Sequence, residues 1–150
     1  MKFLCDRMLG TLAKWLRIFG FDTLFADSNI EDEKLLKLAK DEERILITRD
    51  KNLIIDARRE NIKVIKIIST DINDQLRRVL KNTKIDENFF LSRCLLCNNL
   101  VEKISKKNVK KIVPDRVYEK NKKFWYCKIC DKIYWKGSHF ENMIQKIKQL

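Results

Sequence analysis

Between residues 2 and 82 one pattern recurs four times: a short apolar run of strand length, then a stretch whose apolar residues fall every three or four positions. KFLC at 2–5 is followed from Arg7 by Leu9, Leu12, Trp15, Leu16 and Phe19, with Gly20 placed to close that helix. TLFA at 23–26 precedes a helix over 31–43. Ser28 or Asn29 is its candidate cap, Glu31, Asp32 and Glu33 form an acidic first turn suited to the helix dipole, and Leu35, Leu36, Leu38 and Ala39 form its core face. ILIT at 45–48 leads to a helix over 51–60 that turns Leu53, Ile54 and Ala57 inward. A fourth strand over 63–68 leads through Ser69-Thr70-Asp71 to a helix ending near Asn82. A βαβαβαβα rhythm admits few solutions; the one it favours is an α/β fold with a mostly parallel sheet flanked by helices.

The rhythm stops near Phe89, so two domains are expected, over 1–90 and 91–150, with no Gly- or Pro-rich linker between them. Charge divides at the same place. Residues 1–90 carry 18 Lys/Arg against 16 Asp/Glu, whereas 91–150 carry 15 against 5. An excess of ten positive charges on the smaller part is the footprint of a surface that meets a polyanion, most simply nucleic acid. The opening MKFLCDRMLG has its apolar run broken at Asp6 and Arg7, and no apolar run reaches the ~18 residues of a membrane span. The expectation is a cytoplasmic protein with no membrane partner.

Five cysteines in a reducing compartment read as thiols or ligands rather than disulfides. Four stand in two C-x-x-C pairs, Cys94/Cys97 and Cys127/Cys130, flanked by strand-like pieces at VEKI, KKIV, FWYC and KIYW. Two such knuckles offer four thiolates to one tetrahedral zinc ion, and four thiolates leave no open position for catalysis, so the zinc is structural. The second domain is therefore expected to be a small zinc ribbon with a final helix over 138–150, where Phe140, Met143, Ile144 and Ile147 recur at helical spacing. Cys5, inside the first strand, reads as a small buried apolar residue.

In an open parallel sheet the ligand site lies beyond the carboxyl ends of the strands, where the strand order reverses. Asp6, Asp27, Asp50 and Asp71 each follow one of the four expected strands. Aspartate also caps helices, and that reading stands beside the functional one for each. Three converging carboxylates would suit Mg²⁺ or Mn²⁺ and hydrolysis of a phosphodiester. Thr48 and Arg7 are candidates to bond a carboxylate or a phosphate, roles that spacing alone does not assign. In the basic part, Phe124, Trp125, Tyr126, Tyr134, Trp135 and Phe140 are read either as platforms for unpaired bases or as the core of a small ribbon, and for Trp125 and Trp135 the core reading is the better one. His139 is surplus to four cysteines as a zinc ligand; it is read as a phosphate contact or a structural residue at a helix start.

The stretches FLCDRMLGTLAKWLRIFGFDT at 3–23, DEKLLKLAK at 32–40, ILITRD at 45–50, LSRCLLCN at 91–98 and FWYCKICDKIYWKGSH at 124–139 together resemble the Mut-seven C-terminal RNase domain family, a PIN-like nuclease domain fused to a zinc ribbon. The resemblance implies a metal-dependent endoribonuclease, with RNA as partner and the basic ribbon aiding its binding. It also implies that Asp6, Asp32 and Asp50 hold Mg²⁺ or Mn²⁺, with Arg7 and Arg49 near the phosphate. Glu33 is an alternative to Asp32, Glu31 stands where the family commonly has serine, and Asp71 is the nearest candidate for a fourth acid. A non-catalytic RNA-binding adaptor is the alternative class.

Overall fold

A computed structural model describes residues 1–150 and separates them into two compact units, Met1–Phe90 and Leu91–Leu150. In the first unit, four strands and four helices alternate: β1 (Lys2–Cys5), α1 (Gly10–Ile18), β2 (Asp22–Phe25), α2 (Asp32–Asp41), β3 (Ile45–Thr48), α3 (Lys51–Arg59), β4 (Val64–Lys66) and α4 (Ile72–Leu80). All pairings are parallel and the strand order is β2-β1-β3-β4. The order reverses at β1: the chain steps outward to β2, then crosses back to lay β3 on the other side of β1.

Side chains alternate across each strand, so one sheet face differs from the other by a single residue. Leu4 and Leu46 pack with Leu35, Leu36 and Ala39 of α2 and with Leu53 and Ala57 of α3 in one buried cluster. Phe3, Cys5 and Ile47 point the other way and are fully buried. Helices α1 and α4 contact each other, and Leu12, Leu16, Leu76 and Val79 are buried on them. Fully burying one such side chain stabilises by roughly 1.5–3 kcal/mol, which explains how helices of nine or ten residues, too short to persist alone, are held.

Two buried arginines tie this packing together. Arg17 Nε donates to the Thr23 carbonyl at 2.9 Å. Arg44 Nη1 reaches the Phe3 carbonyl at 3.2 Å and Asp22 Oδ1 at 2.7 Å. Gly20 has φ +88°, and a Cβ there would lie 2.4 Å from the Phe89 carbonyl oxygen, so both the turn and the close approach require glycine.

The second unit is an antiparallel sheet, β5 (Glu102–Ile104), β6 (Phe124–Cys127) and β7 (Lys132–Tyr134), in that order, with α5 (Asp115–Lys120) and α6 (Ser138–Lys148). One face carries Cys127 and Tyr134 against Cys94; the other carries Phe124, Ile104 and Ile133 against Val109 and Val113. No helix of the protein is long and apolar enough to cross a membrane.

Several local expectations change. Helix α1 starts at Gly10 rather than Arg7, because the Arg7 amide donates to Asp6 Oδ1 at 2.7 Å and the Leu9 amide to the Asp6 carbonyl at 2.9 Å, forming a turn. Neither Ser28 nor Asn29 caps α2: Glu31 is the cap residue and bonds no amide with its side chain, while the Asn29 amide donates to Asp27 Oδ1 at 2.9 Å. KKIV is not a strand. Val109 and Val113, one helical turn apart, are joined by an amide–carbonyl bond at 3.1 Å and both are buried beside Phe124.

Candidate functional site

Asp6 and Thr48 directly adjoin or end adjacent parallel strands, and their placement follows from register. Leu4 pairs with Leu46 and Cys5 with Ile47, so the next residues, Asp6 and Thr48, stand side by side at the carboxyl ends of β1 and β3. That is the reversal point of the strand order, where α/β sheets hold ligands. Asp6 is 6% exposed and Thr48 is fully buried. The Asp6 amide is fixed by the Ile47 carbonyl at 3.0 Å.

A buried carboxylate must find partners or lose its charge. Asp6 Oδ2 accepts from Thr48 Oγ1 at 2.9 Å, and Oδ1 accepts from the Arg7 amide. Thr48 Oγ1 accepts in turn from the Asp50 amide at 3.0 Å. One hydroxyl thus fixes the acid after β1 and the backbone of the acid after β3. Arg7 extends the chain of contacts: its Nε is 3.6 Å from Asp6 Oδ1, and its Nη2 lies 3.2 Å from both Asp32 Oδ1 and the Ile30 carbonyl.

Asp32, exposed in the first turn of α2, therefore enters the same network through Arg7 and not by direct approach to Asp6. Glu33 is exposed in that turn and has no bond to the network. Asp50 Oδ1 accepts from the Asn52 and Leu53 amides and so caps α3, leaving Oδ2 outside the cap. Arg49 is half-buried between Thr48 and Asp50. Asp71 caps α4 and Asp27 closes a turn onto Asn29, so neither joins Asp6. Asp6, Asp32 and Asp50 are strung along Arg7 and Thr48 and do not meet at one point as the cysteines do.

In the second unit, the sulfurs of Cys94, Cys97, Cys127 and Cys130 all lie within 4.8 Å of one another, with Cys97 Sγ 3.5 Å from Cys127 Sγ. A tetrahedral ion with ~2.3 Å bonds to sulfur fits that span. Each knuckle is followed by a residue in the left-handed region, Asn98 at φ 69° and Asp131 at φ 51°, which are the side chains that best tolerate it. Those residues at the fifth position of each knuckle were the sequence signal for the turn.

Tyr134 is the functional residue that spacing did not reveal. Its hydroxyl lies 3.1 Å from both Cys94 Sγ and the Leu95 amide. Burial pushes the Cys94 thiol up, but hydrogen bonds from Tyr134 and from the Cys97 and Leu96 amides outweigh it and bring it to about 6. Burial likewise raises Cys97, and hydrogen bonds from Asn99 bring it below its ordinary value. Burial raises Cys127; the bond to Cys97 and then burial hold Cys130 up at about 12. Hydrogen bonds thus favour the thiolate form in the first knuckle, and a bound cation would draw the remaining protons from the cluster. The donor set fits a structural metal such as zinc. His139 is exposed on α6 and lies outside this cluster, and Trp135 packs on Phe124 with ring centroids 6.4 Å apart.

Among curated proteins and among solved structures the chain has no significant match. The Mut7-C RNAse domain matches residues 1–147, nearly the whole chain. With an acid buried at the reversal point of a parallel sheet and a four-cysteine cluster behind it in sequence, this chain belongs to the Mut7-C RNAse domain family and has the RNA-related nuclease character that the family description gives.

Proposed function

We propose that the first unit is a metal-dependent endoribonuclease whose site is built on Asp6, with Asp32 and Asp50, at the carboxyl ends of β1 and β3. The observation that carries this reading is the burial of the Asp6 carboxylate at the reversal point, held there by Thr48. Asp6 also closes the turn into α1, and its burial at the reversal point is what suits a ligand for a hard cation. The three carboxylates do not converge in this structure; it is their all-oxygen donor chemistry that suits Mg²⁺ or Mn²⁺, which when bound would lower the pKa of water and neutralise phosphate charge.

The chain's own residues supply orientation. Thr48 fixes the plane of the Asp6 carboxylate and the backbone entry to Asp50. Arg7, exposed and already bridging two carboxylates, has the reach and charge to bind the scissile phosphate, and Arg49 flanks the same end of β3. In the reaction, the oxygen of a water adds to phosphorus, one bridging P–O bond breaks, and a proton from that water ends on the departing ribose oxygen as a hydroxyl. The basic second unit supplies affinity for RNA.

A second reading is favoured by one observation: Asp50 caps α3 through Oδ1, as in any ordinary helix start. In that case the protein is an RNA-binding adaptor. Incubating the zinc-loaded protein with a structured and a single-stranded RNA, with Mg²⁺, with Mn²⁺ or with neither, separates the two. Metal-dependent internal cutting is expected; intact RNA under every condition, despite binding, establishes the adaptor.

A further inference from the structure

The second unit holds a cleft of about 310 Å³ lined by Lys120, Asn121, Lys122, Lys123, Trp125 and Lys136. It forms where the connection from α5 to β6 meets the chain leaving β7, and Asn121 Nδ2 pins that connection to the Val117 carbonyl at 2.9 Å. Four of the six lining residues are lysines and none is acidic. Like charges so close repel one another, so a cleft of this composition is favourable chiefly when an anion enters it.

Its apolar wall is Trp125. The ring is half-buried, with its inner part packed on the cysteine side of the sheet. Its outward part reaches the cleft, where Lys136 Nζ stands over the ring 5.5 Å from the centroid. Lys136 stands over this face, so a base stacks there by displacing the ammonium, which the base's own phosphate draws aside; aromatic faces attract both cations and nucleobases. An indole face beside a row of ammonium groups matches one chemistry closely: a flat unpaired base joined to phosphodiesters.

Resting on the reading that the second unit meets RNA, we infer that this cleft binds single-stranded RNA, with an unpaired base stacked on Trp125 and the flanking phosphates on Lys122, Lys123 and Lys136. The volume lies near the lower end of the ~300–1,000 Å³ of small-ligand sites, enough for about one nucleotide. The cleft therefore selects unpaired segments without reading their sequence.

The test uses the full, zinc-loaded chain carrying Asp6→Asn, with no Mg²⁺ or Mn²⁺ added, so that cleavage has no part in the result. Binding of a labelled oligouridylate and of its abasic counterpart is followed by fluorescence anisotropy over a range of salt. The base-bearing strand is expected to bind roughly tenfold tighter than the abasic one. Trp125→Leu removes that difference and Trp125→Phe keeps most of it, with zinc content and circular dichroism confirming the fold. Lys122→Gln, Lys123→Gln and Lys136→Gln together reduce the slope of log K against log salt by about 2. The same three-charge change at Lys107, Lys110 and Lys111, which do not line the cleft, serves as the control.

Equal loss in both triple variants, or equal binding of base-bearing and abasic strands, overturns the cleft while leaving RNA binding by the unit in place. Loss in neither triple variant overturns both. Polyglutamate competing as well as RNA at equal charge marks a general polyanion surface and sinks the inference.

Discussion

Replacing Thr48 with Val keeps the volume and shape of a fully buried side chain and removes only the hydroxyl. That hydroxyl makes two bonds, one to the Asp6 carboxylate at 2.9 Å and one from the Asp50 amide at 3.0 Å. A bond to a charged group contributes ~1.5–3 kcal/mol and a neutral one ~1 kcal/mol. Thr48→Val should therefore cost about 2–4 kcal/mol of unfolding free energy. For a unit of this size that is a fall on the order of 10–30 °C in melting temperature. Urea unfolding followed by far-UV circular dichroism reads it as a lower midpoint at unchanged slope. Thr48→Ser, which restores the hydroxyl, should recover most of the loss. In a double-mutant cycle, Thr48→Val and Asp6→Ala should couple by ~1 kcal/mol or more, since each removes the same bond. The variant should also cut RNA roughly tenfold or more slowly, because the Asp6 carboxylate is then held through Oδ1 alone. A stability change under ~0.5 kcal/mol, or additive single effects, would show that the bond does not hold the carboxylate, and the account of the site would fail with it.

Three further outcomes follow from the same geometry. Chelating zinc should abolish the second unit's ordered sheet and expose four thiols to a disulfide reagent, while Cys5 stays unreactive until the first unit unfolds; five thiols reacting together would contradict the separation of the units. Burial raises the Cys5 thiol from 9.0 to about 12, so the folded state favours the protonated form; its contribution is complete below pH 9 and is lost as pH rises toward 12, a decline that Cys5→Ala should flatten in urea unfolding at pH 8 and 11. Gly20→Ala should cost more than the ~1–2 kcal/mol of left-handed backbone alone, because its Cβ also meets the Phe89 carbonyl, and a melting temperature within a degree or two of wild type would refute this.

Much of the first unit was legible because its signals are local. Leu35, Leu36 and Ala39, or Leu53, Ile54 and Ala57, mark a helix face whatever the rest of the chain does. The order of the strands is not local, and it decides which of four similar strand-end acids matters. Asp50 and Asp71 prove to be caps, Asp27 closes a turn, and only Asp6 is buried beside a neighbouring strand. No periodicity distinguishes these four. Asp32 entered through family resemblance alone, and its link to Asp6 runs through Arg7, a contact between residues 25 apart in sequence that spacing cannot foretell.

In the second unit, the knuckles were legible from cysteine spacing, whereas the β-branched KKIV suggested a strand where burial of Val109 and Val113 against Phe124 imposes a turn. Helix α5 was missed because six residues carry too little periodicity. The Pro114-Asp115 pair at its start was the available signal.

The central claim is that the acid at the end of β1 cuts RNA, and single-turnover cleavage by Asp6→Asn with RNA binding measured in parallel tests it most directly. Asparagine keeps the shape and an acceptor for Thr48 but removes the charge. The account predicts cleavage falling to background in Mg²⁺ or Mn²⁺ with RNA affinity and the far-UV spectrum unchanged. Cleavage at the wild-type rate would contradict it.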